Sequence, residues 1–202
     1  MYPDSGARRS ISPLLVVISS LFVACLVTSN VIAGKLVTIG PATVTGAIAV
    51  FPLAYLFGDV LTEVWGYRVA RMVIWAGFLA NAAAVAFIAV AVALPAAPGP
   101  VDQQSFATVL DQTPRLVAAS LVAYLCGEFL NSFVLAKLKL VTNGRFLWMR
   151  TIGSTVIGQG ADSAVFITLA FAGQLPAAVV LTIIRDLWII KVIYEVVATP
   201  LT

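Results

Sequence analysis

The chain has 202 residues, of which 61% are hydrophobic and 10% are charged, and its formal net charge is +3. Soluble domains carry about 25% charged residues, so this composition excludes a soluble protein and predicts an integral membrane protein. The sequence contains no histidine, which excludes a Ser-His-Asp triad, a haem ligand and an HExxH zinc site. Channels, transporters, scaffolds and membrane-embedded enzymes remain.

Six stretches are long and apolar enough to cross a bilayer, because a hydrocarbon core about 30 Å thick takes about 20 helical residues. The first three lack charged residues, whereas the last three contain them. In chain order the predicted spans are 10–34, 36–58, 72–101, 116–136, 151–172 and 176–198. The sequence therefore predicts an all-α integral membrane protein in which residues 1–202 form one six-helix domain.

Basic residues are distributed unevenly between the two ends of these spans. Only Lys35 and Arg115 fall on one side. The other side carries Arg8, Arg9, Arg68, Arg71, Lys137, Lys139, Arg145 and Arg150. Because cytoplasmic loops carry an excess of lysine and arginine, this bias predicts that both termini lie in the cytoplasm.

Two carboxylates follow the uncharged run of the second span and belong to the same predicted helix. Ionisable side chains at membrane depth cost free energy, so those that remain there mark a site or a pathway. Asp59 and Glu63 are four residues apart and share one helix face. Their repulsion predicts that one is protonated or that a donor-rich or cationic group lies against them. An interfacial position, paired with Arg68 or Arg71, is the alternative for Glu63.

The fifth span carries a polar face that includes Thr155, Gln159 and Asp162, spaced four and three residues apart. At 1.5 Å per residue from Thr151, Asp162 lies about 17 Å deep, near the middle of the hydrocarbon. Small residues beside this face permit the alternative that it only joins helices. A midplane aspartate is better explained by a ligand site.

Three other spans add polar residues at membrane depth. The fourth contains Glu128 and Asn131, the sixth contains Lys191 and Glu195, and Asn30 lies near the outer end of the first. An ion pair within one helix is the alternative for Lys191 and Glu195. Carboxylates outnumber cations in the whole set, so we expect an acceptor-rich cavity whose guest presents N–H donors or a positive charge.

Short motifs form an ordered set along almost the whole chain. The first half contains Ser29-Asn30, Phe51-Pro52-Leu53, Gly58-Asp59, Glu63-Val64-Trp65-Gly66 and Ala70-Arg71. The second half contains Gly127-Glu128-Phe129-Leu130-Asn131, Leu147-Trp148-Met149-Arg150, Ser154-Thr155, Gln159, Asp162-Ser163, Lys191 and Thr199-Pro200. This set resembles the bacterial queuosine precursor transporters, also called the vitamin uptake transporter family. The resemblance implies multi-pass importers of the cytoplasmic membrane that carry 7-cyano-7-deazaguanine and 7-aminomethyl-7-deazaguanine.

A deazaguanine offers a ring N–H and an exocyclic amino group side by side, which one carboxylate accepts together, while its carbonyl suits Asn, Gln or Lys. The predicted substrate-binding residues are Asn30, Asp59, Glu63, Glu128, Asn131, Gln159, Asp162 and Lys191. Candidates for an aromatic wall against the flat ring are Phe51, Tyr55, Phe166 and Trp188. We expect secondary or facilitated transport without a catalytic residue, metal, cofactor or nucleic-acid partner.

The quaternary structure predicted for this chain is a homodimer surrounded by membrane lipid. A bundle of six short helices with small-residue faces is too small to enclose both a binding site and the gates that close it. A second copy would supply the missing support.

One alternative within transport is the substrate-binding subunit of an energy-coupling-factor vitamin importer, which needs an ATPase partner. The sequence contains no G-x-x-x-x-G-K-[ST] motif and no evident Ala-x-x-x-Ala docking pattern in the first span. Secondary transport is therefore favoured.

The alternative from another class is a membrane enzyme that uses paired carboxylates. The later D-x-x-x-D ligands of CDP-alcohol phosphotransferases are missing, as is the G-x-G-D motif of intramembrane aspartyl proteases. Since both patterns fail at the positions that carry the chemistry, we expect a protein that is not an enzyme.

Overall fold

The structure, a computed structural model, describes residues 12–97, 99, 102–142 and 147–198. Within these ranges only the backbone is described for Tyr55, Asp59, Glu63, Lys139, residues 147–151 and Ala198. Three of the basic residues used for the orientation, Arg8, Arg9 and Arg145, lie outside the described residues, and the cytoplasmic termini stay a prediction.

Helices dominate the described part of the chain. They are α1 (Pro13–Ile32), α2 (Phe51–Trp65), α3 (Tyr67–Ala93), α4 (Gln103–Leu110), α5 (Thr113–Val141), α6 (Leu147–Phe171) and α7 (Ala177–Ala198). A β-hairpin of β1 (Leu36–Ile39) and β2 (Ala42–Thr45), followed by a short 3₁₀ helix (Gly46–Ala49), connects α1 to α2.

Three described segments are long and apolar enough to cross a membrane: Pro13–Ile32, Tyr67–Ala93 and Gln103–Leu138. The last runs from α4 into α5. Large apolar side chains such as Leu79 and Phe87 lie exposed on α3, where lipid would cover them. The protein is therefore a helical membrane protein. At about 37 Å and 33 Å, α6 and α7 also have the length of a span, and six spans remain a prediction.

The second predicted span, 36–58, is wrong in its extent, and the all-α prediction needs the same correction. Its first ten residues form the antiparallel hairpin, with Ile39 opposite Ala42. The two-residue turn begins at Gly40, whose φ of 58° favours glycine. Valine, isoleucine and threonine suit strands, so an uncharged run rich in these residues can form a hairpin as well as a helix. Helix α2 then has 15 residues, about 22 Å, and is shorter than a bilayer core.

The hairpin seals one end of the helical bundle. Val44 and Thr45 of β2 are almost fully buried. They join an apolar cluster, here called the hairpin-end core, built from the ends of the neighbouring helices. Its buried members are Ala33, Val44, Leu116, Ala119, Ile167, Ala170, Phe171, Val180, Ile183 and Leu187. Burial of this cluster removes apolar surface from water and fixes the hairpin against α5, α6 and α7.

Two polar contacts hold the same end of the bundle. The backbone N–H of Thr43 donates to Asp186 of α7 at 2.8 Å. Arg115 of α5 donates through its guanidinium to the carbonyls of Leu169 and Ala172, each at 2.7 Å. These carbonyls lie at the C-terminus of α6, where the helix leaves acceptors without intrahelical donors. Arg115 therefore ties α5 to the end of α6.

Candidate functional site

A cavity of about 330 Å³ lies between α1, α2, α3, α5, α6 and α7. Its polar lining residues are Thr62, Tyr124, Glu128, Asn131, Thr155, Gln159, Asp162 and Glu195. Along α5, α6 and α7 these residues lie farther from the hairpin than the hairpin-end core does. The cavity is therefore separated from the hairpin by a packed apolar layer.

A close crossing of α5 and α6 creates the polar wall of the cavity. A Cβ atom added to Gly127 would lie 2.9 Å from the Cβ of Asp162 and 3.0 Å from the carbonyl oxygen of Gly158. A Cβ atom added to Gly158 would lie 2.7 Å from the Cβ of Asn131. Small residues allow membrane helices to approach at this distance. The two glycines thus bring Glu128 and Asn131 beside Asp162.

The side chain of Asn131 presents an unused acceptor. Its Oδ1 atom is buried and has no hydrogen-bond partner among the described residues, and the residue lines the cavity. A buried acceptor without a donor costs about 1–3 kcal/mol. A ligand N–H group in the cavity would remove that cost.

Asp162 and Lys191 form an ion pair between α6 and α7. The Lys191 ammonium donates to Asp162 Oδ2 and lies 4.9 Å from the ring centroid of Phe51, at the start of α2. The two side chains are only 21% and 8% exposed, respectively. The attraction and the hydrogen bond offset the desolvation of both charges. Lys191 therefore joins α7 to α6.

Four of the predicted site residues line one cavity: Glu128, Asn131, Gln159 and Asp162. Lys191 reaches it through its ion pair with Asp162. The side chains of Asp59 and Glu63 lie outside the described part of the structure, although their neighbours in α2, Gly58 and Thr62, line the cavity.

Asn30 does not line the cavity. It is buried between α1 and α3, and its amide donates to Asn81 Oδ1 at 3.0 Å. The amide of Asn81 in turn donates to the carbonyl of Gly77 at 3.0 Å. Because these side chains satisfy each other, Asn30 joins two membrane helices rather than facing the space that α5 and α6 enclose.

Three of the four predicted aromatic candidates do not line the cavity, and the side chain of the fourth, Tyr55, lies outside the described part of the structure. Phe51 contacts Lys191, Phe166 packs against the hairpin-end core, and Trp188 donates to the carbonyl of Val156 at 2.9 Å. The aromatic side chains that line the described cavity are instead Phe22, Phe78 and Tyr124. Phe78 and Tyr124 meet edge to face, with ring centroids 5.4 Å apart. No charge or spacing signal distinguishes these three rings from ordinary packing residues.

Glu195 and Thr155 also line the cavity but were not among the predicted substrate-binding residues. Signals for both exist in the sequence. Thr155 belongs to the polar face that contains Gln159 and Asp162, and Glu195 lies one turn after Lys191. All polar residues of a helix face, and not only its charged residues, therefore indicate which side chains line the cavity.

Apolar helices that surround an acceptor-rich cavity are the features of a small-molecule membrane transporter. Comparison with known proteins agrees. Residues 45–202 match a family described as "Putative vitamin uptake transporter". The chain is 30% identical over 186 residues to the "Probable queuosine precursor transporter" of Bacillus subtilis (strain 168), covering 83% of this chain and 81% of that protein. The chain belongs to the vitamin uptake transporter family, and no solved structure matches it.

Proposed function

We propose that the protein imports the queuosine precursors 7-cyano-7-deazaguanine and 7-aminomethyl-7-deazaguanine across the bacterial cytoplasmic membrane. The observation that carries this proposal is the common cavity of Glu128, Asn131, Gln159 and Asp162, which combines hydrogen-bond acceptors with aromatic side chains. The name of the Bacillus subtilis relative supports the same substrate class. At about 330 Å³ the cavity has the size of a site for a small ligand.

In the proposed complex, Asp162 accepts the paired N–H donors of the deazaguanine, with support from Gln159. Lys191 holds the carboxylate of Asp162 in place through the ion pair between them. The unpartnered Oδ1 of Asn131 accepts a further donor. The flat ring lies against the rings of Phe78 and Tyr124.

The described conformation supports transport by alternating access. The hairpin-end core closes one end of the bundle, while the cavity lies toward the other end. With the orientation that the basic residues predict, the closed end is the periplasmic one. We therefore assign the structure to an inward-facing state of a multi-pass importer whose termini are cytoplasmic. A reporter fused at Thr202 that is active only in the periplasm would contradict this orientation.

The proposed assembly is a homodimer of six-helix subunits. We expect light scattering of the detergent-solubilised protein to give the mass of two chains. Full transport activity at the mass of a single chain would contradict the dimer but not the transport function.

Uptake of labelled precursors tests the function directly. We expect queuosine-auxotrophic cells to accumulate both precursors only when they express this chain. Purified protein alone in proteoliposomes should also transport them, without an ATPase and without chemical conversion of the compound. Uptake that requires an added ATPase would favour an energy-coupling-factor subunit, turnover would favour an enzyme, and no uptake of either precursor would contradict the proposal.

A further inference from the structure

We propose that Glu128 selects a positively charged substituent, so that the cavity takes an amine-bearing deazaguanine in preference to a neutral one. This inference rests on the proposed function and deepens it. The aminomethyl precursor carries an ammonium group near neutral pH, whereas the cyano precursor is uncharged at the same position. Both share the ring edge that the acceptors contact, so they differ chiefly in what they place against Glu128.

The charge balance of the cavity favours a cationic guest. The charged side chains among its described lining residues are all carboxylates, namely Glu128, Asp162 and Glu195. Lys191 is the cation that reaches this group, and it pairs with Asp162. A neutral guest would leave excess negative charge in a membrane interior, where water stabilises it poorly. A monocation reduces that excess.

Glu128 is the carboxylate best placed to meet the cation. In the described part of the chain, ion pairs join Arg185 to Asp186 and Lys191 to Asp162, and none includes Glu128. Asp162 already has a cationic partner held against Phe51. An incoming ammonium would have to displace Lys191 to pair with Asp162, whereas it can pair with Glu128 without breaking a protein contact.

The surroundings of Glu128 fit an ammonium group on a flat ring. Tyr124 lies one helical turn before Glu128 on α5, and both line the cavity. The ring of Tyr124 meets Phe78 edge to face. Aromatic faces attract cations, which adds to the pairing with the carboxylate. Asn131, three residues after Glu128, supplies the neutral acceptor for a ring N–H. Charge and ring are thus recognised by neighbouring residues of one helix face.

Transport in proteoliposomes with both labelled precursors tests this assignment. We compare the wild-type chain with Glu128→Gln, which keeps the size and an acceptor oxygen but removes the charge. Asp111→Asn, at an exposed position outside the cavity, is the matched control. We expect the wild type and the control to prefer the aminomethyl compound. In Glu128→Gln the ratio of aminomethyl to cyano uptake should fall about tenfold, because a charge-assisted hydrogen bond is lost.

The outcomes separate this inference from the proposed function. Equal uptake of the two compounds by the wild type overturns the selection of a cation, and so does an unchanged preference in Glu128→Gln. Uptake of neither compound by the wild type overturns the proposed function as well. If Glu128→Gln does not fold, the wild-type preference, measured by competition between the two compounds, still decides whether the cavity selects a cation, and equal uptake overturns the inference.

Discussion

Helix α7 carries two buried charged residues, five positions apart, that are neutralised in different ways. Asp186, which is 5% exposed, accepts the N–H of Thr43 and the guanidinium of Arg185. These contacts close the hairpin-end core, and nothing about them involves the cavity. Lys191 pairs instead with Asp162, whose side chain lines the cavity.

The contrast indicates a structural role for Asp186 and a binding role for Lys191, although both residues lie on the same helix. Around Asp186 the partners are a backbone amide and the adjacent residue, so the charge is satisfied whether or not a ligand is present. Around Lys191 the partner is a carboxylate that a ligand can contact. We therefore expect changes at Asp186 to affect stability, and changes at Lys191 and Asp162 to affect binding as well.

The largest effect should follow Lys191→Met. This change leaves the partly buried carboxylate of Asp162 without its cation, and breaking a fully buried pair in this way costs about 3–5 kcal/mol, which is the upper bound here. Thermal unfolding in detergent measures the loss. In the double variant Lys191→Met/Asp162→Asn we expect most of the stability to return, because no charge is left unpaired, but uptake to stay low. Restored uptake in that double variant would show that the pair is only structural.

Asp162→Asn should weaken binding by at least about 2 kcal/mol, or about thirtyfold. The substitution keeps the shape but replaces an acceptor oxygen with a donor that opposes the donors of the ligand. Affinity is measured by titration of the purified protein with each precursor, with Asp111→Asn as the control. A lower melting temperature with unchanged affinity would mean that Asp162, like Asp186, stabilises the fold and does not bind the ligand.

Gly158→Ala should separate α5 from α6 at the cavity. The new Cβ atom would lie 2.7 Å from the Cβ of Asn131, and overpacking of this kind costs about 1–3 kcal/mol. We expect a lower melting temperature together with reduced uptake. Gly99→Ala, where a Cβ atom meets nothing within 4 Å, should change neither. Normal uptake by Gly158→Ala would mean that the helix crossing does not position the site.

Asp186→Asn should cost about 1 kcal/mol, because the N–H of Thr43 keeps a neutral acceptor while the contact with Arg185 loses its charge. Uptake by the folded variant should remain close to normal. Loss of uptake at an unchanged melting temperature would contradict the structural assignment and would indicate that the hairpin moves during transport.

The smallest effect concerns Asp102, which lies outside both regions. Its carboxylate accepts from the hydroxyl of Ser105 and from the N–H of Gln104, capping α4. The hydrogen bond from Ser105 is the main cause that lowers the pKa of Asp102 below 3.8. The cap is therefore fully effective above that value and weakens as the pH falls through the lower folded pKa. The protection factors of the α4 amides, which are corrected for the pH dependence of intrinsic exchange, should fall on acidification more in the wild type than in Asp102→Asn. An equal fall in the two proteins would contradict the role of this cap.

The sequence by itself determined the membrane class and one face of the site. Hydropathy is a local property, so the uncharged runs of α1 and α3 were recognisable without knowledge of their neighbours. The i, i+4 and i+7 spacing of Thr155, Gln159 and Asp162 places them on one face of any α-helix, and all three line the cavity. The order of short motifs also indicated the family that the comparisons show.

Only the tertiary structure decided which residues meet across helices. Local spacing indicates Glu195 as a partner of Lys191 on the same helix, whereas the ion pair of Lys191 with Asp162 depends on the packing of α7 against α6. Asn30 has a partner 51 positions away, in Asn81. These contacts depend on where the helices cross. The crossing of α5 and α6 requires Gly127 and Gly158, which lie on different helices and form no repeating pattern in the sequence. Side-chain pairing across helices is a property of the packed bundle, because each pair depends on the positions of both backbones.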